Sequence, residues 1–317
     1  MTAAAPGPAA CWVVTPMLRD TESMIRLRAE TLVACAGIAT VNVIRFLVVD
    51  DSAGTDPDVD HLRGFDDVEV LTPPFNLGHQ RAIVFALRFL APRLSPCDVV
   101  VTMDSDGEDL PQDVTRLIEA LGGGGGAVLA LARRTKRSER WKFRLMYVVY
   151  RSFFRVLTGT TVRTGNFAAQ RANSMAATIF HPSFDLCYSS TLLSLGRPTS
   201  FVPCARGHRF AGESRMNTTS LIVHGVRMLM PFSERIAVRT LVLASTCAIA
   251  LTVFLAAFGL GLVTSPLNAP TIAMLAAVTV VLVTSLTTFV VLFSGFSHSS
   301  AMAMKGFGWS DSFVDAD

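Results

Sequence analysis

The stretch from Val99 to Pro111 restricts the possible folds of this chain more than any other. Val99-Val-Val-Thr-Met103 is an apolar run rich in β-branched residues, the pattern of a strand buried on both faces of a parallel sheet. Four carboxylates follow within six residues, at Asp104, Asp106, Glu108 and Asp109. At neutral pH they repel one another unless positive charge lies between them, and a divalent cation is the economical source. A solvated acidic turn ahead of a helix is the plainer alternative, because a helix's first turn favours negative charge. The acids stand at the carboxyl end of a buried strand, where open α/β sheets place ligands, and this favours a binding site.

Strand and helix signals alternate around this stretch. Cys11 to Thr15 reads as a first strand stopped by Pro16, and Asp20 and Glu22 lead into an amphipathic helix through Met24, Ile25, Leu27 and Leu32. Ile44 to Val49 is a second strand that ends in Asp50, Asp51 and, after a short turn, Asp56. Val68 to Leu71 is a third, followed by Asn76-Leu-Gly78-His79-Gln80 and a helix through Ala82, Val84, Ala86, Leu87 and Leu90. A helix from Gln112 to Leu121 and a strand from Ala127 to Ala132 flank the glycines 122–126. Those glycines lack the Lys-Ser/Thr ending of a phosphate loop and read as a flexible connection. The alternation predicts an α/β domain with a doubly wound, mostly parallel sheet whose loops gather at one edge. Asp20, Asp50, Asp51 and the acidic cluster would share that edge, which suits a nucleotide.

With half its 317 residues hydrophobic, 17% charged and a mean hydropathy of +0.44, the chain is too apolar for an ordinary soluble enzyme. The excess lies after Arg239. Leu241 to Val263 and Thr271 to Phe293 are two uncharged, largely apolar runs of 23 residues, each long enough to span a bilayer. Arg235 and Arg239 precede the first, Lys305 follows the second, and the link Thr264 to Pro270 is uncharged, so both ends are expected in the cytoplasm. From Asn217 to Met230, Ile222, Val223, Val226 and Leu229 oppose Ser220, His224 and Arg227, the pattern of an interfacial helix ended by Pro231. His224 reads there as a surface residue. The first residues lack the basic start of a signal peptide, so the catalytic part is expected to stay cytoplasmic. The six cysteines show no CxxC pair and suit free thiols. A net charge of +3 is too slight to argue for a nucleic-acid partner.

Five motifs in order carry a resemblance: Val-Val-Asp-Asp-Ser at 48–52, Asn-x-Gly-His-Gln at 76–80, Asp-Ser-Asp-Gly-Glu-Asp-x-Pro at 104–111, Gly-Asn-Phe at 165–167 and Arg-x-x-Gly-x-Ser at 209–214. Together they resemble family 2 glycosyltransferases, and within them the polyprenyl-phosphate type, similar to dolichyl-phosphate mannose synthase and bacterial two-span glucosyl transferases. The resemblance implies a GT-A fold, a nucleotide-sugar donor, Mg²⁺ or Mn²⁺, and a lipid-phosphate acceptor at what would be a bacterial inner membrane. It implies that Asp104 and Asp106 hold the metal, with Glu108 a third ligand or the partner of one. Pro16, Asp20, Asp50, Asp51, Gly78, Gln80, Asp104, Arg209 and Ser214 would surround the donor, with Asp50 or Asp51 at its base or ribose. The usual Pro-x-Tyr-Asn-Glu after the first strand is here Pro16-Met-Leu-Arg-Asp20, without the aromatic and the Asn.

Seven basic residues crowd positions 133–144. Arg140, Arg144, Arg151 and Arg155 draw one helical stripe, while Trp141, Leu145, Val148, Val149, Ser152 and Val156 draw a mostly apolar one, so this helix can lie on a membrane surface. The resemblance places the acceptor phosphate at Arg133 and at one or more of Arg140, Lys142 and Arg144. Such a phosphate monoester is already ionised and needs no strong base. Asp106, Asp109, Arg133 and Arg209 are the residues expected at the reaction centre, Arg209 toward the diphosphate and Asp109 orienting the acceptor or the arginines.

The domain plan expected is a catalytic unit over 1–215, an interfacial helix over 216–236, a two-helix anchor over 237–296 and a cytoplasmic tail over 297–317. The expected activity is inverting transfer of one sugar to a polyprenyl phosphate. Two other readings stand beside it: the same chemistry on another lipid or a glycan, and a catalytically silent membrane scaffold. Self-association is left open.

Overall fold

A computed structural model of the chain describes residues 10–38, 40–122, 126–134, 141–211, 218–260, 271 and 274–288. Seven strands form one sheet in the order β3-β2-β1-β4-β6-β5-β7. These are β1 (Ala10–Met17), β2 (Val43–Asp50), β3 (Val68–Leu71), β4 (Val99–Thr102), β5 (Leu129–Arg134), β6 (Thr164–Arg171) and β7 (Thr199–Cys204). All run parallel except β6, which pairs antiparallel to both β4 and β5. The reversal places the start of β6 beside the ends of its neighbours: Arg133 of β5 is opposite Thr164.

Side chains along the central strands alternate between two cores, as a sheet covered on both faces requires. Val13, Phe46, Val48 and Val101 face one core, closed by α1 (Thr21–Cys35) and α4 (Pro111–Gly122). Val14, Leu47, Val49 and Val100 face the other, closed by α3 (His79–Leu90), α6 (Ala172–Thr178) and α7 (Tyr188–Ser194). A one-turn helix, α2 (Asp60–Arg63), lies between β2 and β3. Pro16 does not stop β1 as expected. It pairs with Val49, and because the ladder to β4 covers only Cys11 to Val14, position 16 lies beyond it, where a missing N–H is tolerated.

A third cluster lies off the sheet. Phe154 and Tyr150 of α5 (Trp141–Thr158) pack with Met228 of α8 (Thr218–Leu229), with Phe232, and with Ile236 at the start of α9 (Ser233–Gly259). Pro231 sits in a 3-10 turn between α8 and α9, and α8 stops at Leu229. Arg239 of α9 donates to the Val156 carbonyl at 2.8 Å, satisfying the carboxyl end of α5 and tying the two helices together. Among the described residues one helical stretch, Leu221–Phe254, is long and apolar enough to cross a membrane. Where a second span was expected, the described residues hold an apolar helix, Met274–Thr288, too short to count as a span; the link 264–270, residues 272–273 and 289–293, and Lys305 lie outside the described residues. All six cysteines are free.

Candidate active site

The loop after β4 carries the four acids to the sheet edge, where protein cations already stand among them. His79, the first residue of α3, places Nε2 at 3.0 Å from Asp104 Oδ1. Asn166, near the start of β6, donates to the same oxygen at 3.5 Å. Burial alone would raise the Asp104 carboxyl, but His79, with Arg134 and Asn166 behind it, brings it down to about 2. Asp109 is buried, accepts from the Asp104 N–H at 3.1 Å and lies 3.6 Å from Arg134. Burial, then the neighbouring Asp104 charge, pushes Asp109 up to about 7. Burial lowers His79, yet the Asp104 charge outweighs it and raises the imidazole.

A second segment closes over the loop. Gly207 N–H donates to the Glu108 carbonyl at 2.9 Å and Phe210 N–H to the Asp106 carbonyl at 2.8 Å. Arg209 binds Asp106 at 2.8 Å and Glu108 at 3.0 Å, and Arg206 also pairs with Glu108. The Phe210 ring covers Gly107, whose φ of +83° no other residue adopts cheaply; a Cβ there would lie 2.7 Å from the ring. Arg26 stacks on Phe210 at 4.2 Å.

The acids are thus balanced by His79, Arg134, Arg206 and Arg209, where the sequence suggested a divalent ion as the economical source of positive charge. Among the described residues no group of three or more His, Cys, Asp or Glu side chains stands at metal-ligand spacing. The oxygen donors of Asp104 and Asp106 nonetheless fit Mg²⁺ or Mn²⁺, since such ions are commonly held by one or two carboxylates together with substrate phosphates.

A family model described as glycosyl transferase family 2 matches residues 13–183, more than half of the chain. The chain belongs to glycosyl transferase family 2. No curated protein matches it. Among solved structures, glucosyl-3-phosphoglycerate synthase from Mycobacterium tuberculosis, bound to Mn²⁺, UDP-glucose and phosphoglyceric acid, is 17% identical with a TM-score of 0.48, over 73% of this chain and 80% of that one. Mannosyl-3-phosphoglycerate synthase from Rubrobacter xylanophilus is 12% identical with a TM-score of 0.45, over 72% of this chain and 74% of that one.

In this glycosyltransferase the remaining residues singled out in the sequence fall into three groups. Asp51 and Gln80 are used internally. Asp51 accepts from the N–H groups of Leu77 (2.6 Å) and Gly78 (2.9 Å) and so shapes the turn that presents His79, with Gly78 at φ +78°. Gln80 accepts from Ser189 N–H at 3.1 Å and donates to Asn166. Asp50, Asp20 and Pro16 stand at the same edge. Asp50 is fully buried, its Oδ1 accepts from Ser52 N–H at 3.1 Å, and its Oδ2 has no partner. Asp20 is half-buried just before α1. Finally, Arg140, Gly212, Ser214 and the side chains of Lys142 and Arg144 lie outside the described residues.

Arg133 is exposed, and its neighbour Arg134 faces Asp109. A register shift between Leu131 and Arg133 decides which arginine turns inward, and nothing in the sequence announces it. His79 and Asn166 sit inside motifs that were visible in the sequence without a role at the acids; Arg206 carried no signal at all.

Proposed function

We propose that this glycosyltransferase transfers one sugar, with inversion, from a nucleotide-sugar donor to a polyprenyl phosphate at the cytoplasmic face of a membrane. The observation that carries the reading is an apolar outer surface shared by three helices. Val148, Val149, Phe153 and Val156 of α5, Ile222, Val223 and Val226 of α8, and Val238, Leu241 and Val242 of α9 are all exposed. Exposed apolar side chains on three helices that pack together suit a bilayer. This surface is joined to the acid site through Cys187, which packs with Phe154 and Met228 and whose thiol reaches Gln80 Oε1 at 3.5 Å.

In this reading Asp104 and Asp106 hold Mg²⁺ or Mn²⁺, which supplies counter-charge to the donor diphosphate. Asp50, with its unpartnered Oδ2, takes the base or ribose. Arg209 exchanges Asp106 for the diphosphate, for which its planar fork is suited. Arg133, Arg134 and the basic residues at 140–144 collect the acceptor phosphate. One of its oxygens forms the bond to the anomeric carbon from the face opposite the leaving group, and the nucleoside diphosphate departs with the electron pair of the broken C–O bond. The protein's main contribution is alignment of two anionic partners and neutralisation of the leaving group.

The test is the full chain in nanodiscs with a panel of nucleotide sugars, Mn²⁺ or Mg²⁺, and either polyprenyl phosphate, diacylglycerol or a glycan acceptor. A lipid-linked sugar formed only with polyprenyl phosphate is expected. Product on another acceptor alone would replace the acceptor, and no product together with no metal-dependent nucleotide binding would leave a silent scaffold.

A further inference from the structure

Two side-chain amides lie behind the acid loop, and one main-chain donor fixes the direction of both. The N–H of Ser189, near the start of α7, donates to Gln80 Oε1 at 3.1 Å, and the Cys187 thiol meets the same oxygen at 3.5 Å. A main-chain N–H can only donate, so the carbonyl side of the Gln80 amide faces α7 and its amino side faces away. That amino group donates to Asn166 Oδ1. Asn166 therefore presents its own amino group on the other side, where Nδ2 lies against His79 Nε2 and 3.5 Å from Asp104 Oδ1. Its main chain is held as well. The Thr102 hydroxyl, 3.1 Å from that of Tyr188, donates to the Asn166 carbonyl at 2.6 Å.

His79 and Asn166 thus converge on one oxygen of Asp104. His79 Nε2 stands 3.0 Å from Oδ1, and among the described residues no hydrogen bond or ion pair engages Oδ2. A carboxylate held by one oxygen keeps the other for a cation, and loss of a group that holds a metal's ligand commonly costs about tenfold to a hundredfold in metal affinity. We propose that Asn166 and Gln80 are positioning residues for the metal: the directed pair of amides holds Asp104 by Oδ1 and leaves Oδ2 to Mg²⁺ or Mn²⁺. This rests on the metal role given to Asp104 above and adds two residues that touch neither the metal nor the reacting atoms. Without a donor at Gln80, Asn166 would turn over and set its own oxygen against the Asp104 carboxylate.

Gln80→Glu separates this arrangement from a general effect of charge. The variant keeps the oxygen that Ser189 needs and loses the donor that Asn166 needs. On charge alone, an added carboxylate beside a cation site tightens metal binding; by reversing Asn166 it is expected to weaken it. Mn²⁺ binding to the full chain in nanodiscs of zwitterionic lipid is read from loss of the free-ion electron paramagnetic resonance signal, with empty discs as the baseline. The proteins compared are wild type, Gln80→Glu and Asn166→Ala, and the isosteric Gln80→Glu carries the test should the alanine variant fail to fold. Mn²⁺ binding about tenfold weaker in both variants is expected. Unchanged or tighter binding in Gln80→Glu overturns the inference, as does no binding to wild type. Weakened binding in the variants, with no lipid-linked sugar from wild type, supports the inference and removes only the acceptor reading above. Excess Mn²⁺ should restore most of the turnover lost in Gln80→Glu; a loss that no Mn²⁺ concentration relieves counts against a role in holding the metal.

Discussion

At the scale of single residues the site is a balance of charges whose members pull one another in opposite directions. Asp106 is one of two acids that Arg209 holds, so Asp106→Asn should reduce turnover by a factor of a thousand or more while leaving the thermal midpoint nearly unchanged; full activity in that variant would remove it from the site. Asp109 offers a test by pH. Its carboxyl is raised to about 7 when folded, well above its unfolded value near 4, so folding favours the protonated form. Its contribution is fully present below about pH 4 and is lost as pH rises toward 7, amounting to roughly 4 kcal/mol at most. Metal-free wild type should therefore lose stability relative to Asp109→Asn between pH 4 and 8, as read by thermal melts. A constant difference across that range would contradict the assignment. Asp51 acts through structure: Asp51→Ala leaves the N–H groups of Leu77 and Gly78 without their acceptor, at a cost of about 2 to 4 kcal/mol for two lost bonds, and should weaken activity by displacing His79.

At the scale of elements, two loops and one helix junction decide how the site is assembled. The segment from Arg206 to Phe210 is bound to the acid loop by two backbone hydrogen bonds, two arginines and one aromatic ring. Gly107→Ala forces a Cβ into the Phe210 ring at a positive φ, a strain of about 1 to 3 kcal/mol. The expected result is a tenfold or greater loss of metal-dependent nucleotide binding with little change in the main thermal transition, because the cores on either side of the sheet are untouched. Wild-type nucleotide affinity in this variant would show that the two segments work independently. The reversed strand β6 matters in the same way. Its antiparallel run brings Asn166 to the edge where the parallel strands end, and Gln80 and Asp104 then meet on it.

For the whole molecule, the apolar outer surface of α5, α8 and α9 predicts how the domain rests on a membrane. Spin labels at Val149, Val226 and Val242, placed one at a time in nanodisc-bound protein, should collide more with oxygen than with a water-soluble nickel reagent. Labels that all behave as water-exposed would contradict the orientation. Much of this architecture can be read in the chain, since hydrophobic patterning is a local property: the apolar runs in Val99–Thr102 and Val43–Asp50, the acids at the strand ends, the helix ended near Pro231 and the apolar run after Arg239 all follow from neighbours in sequence. The order of five motifs was enough to indicate the family. Relations between distant segments were not accessible that way. Whether Arg133 or Arg134 faces Asp109 depends on a register shift. Whether Asp51 meets a ligand or the 77–78 turn depends on which loop packs beside it, and His224 passes from a surface position to a half-buried one only when α8 docks on α5 and α7. Sequence alone determined which residues bring charge to the sheet edge; tertiary structure decided which of those charges meet, because partners as far apart as Asp106 and Arg209 come together only through packing.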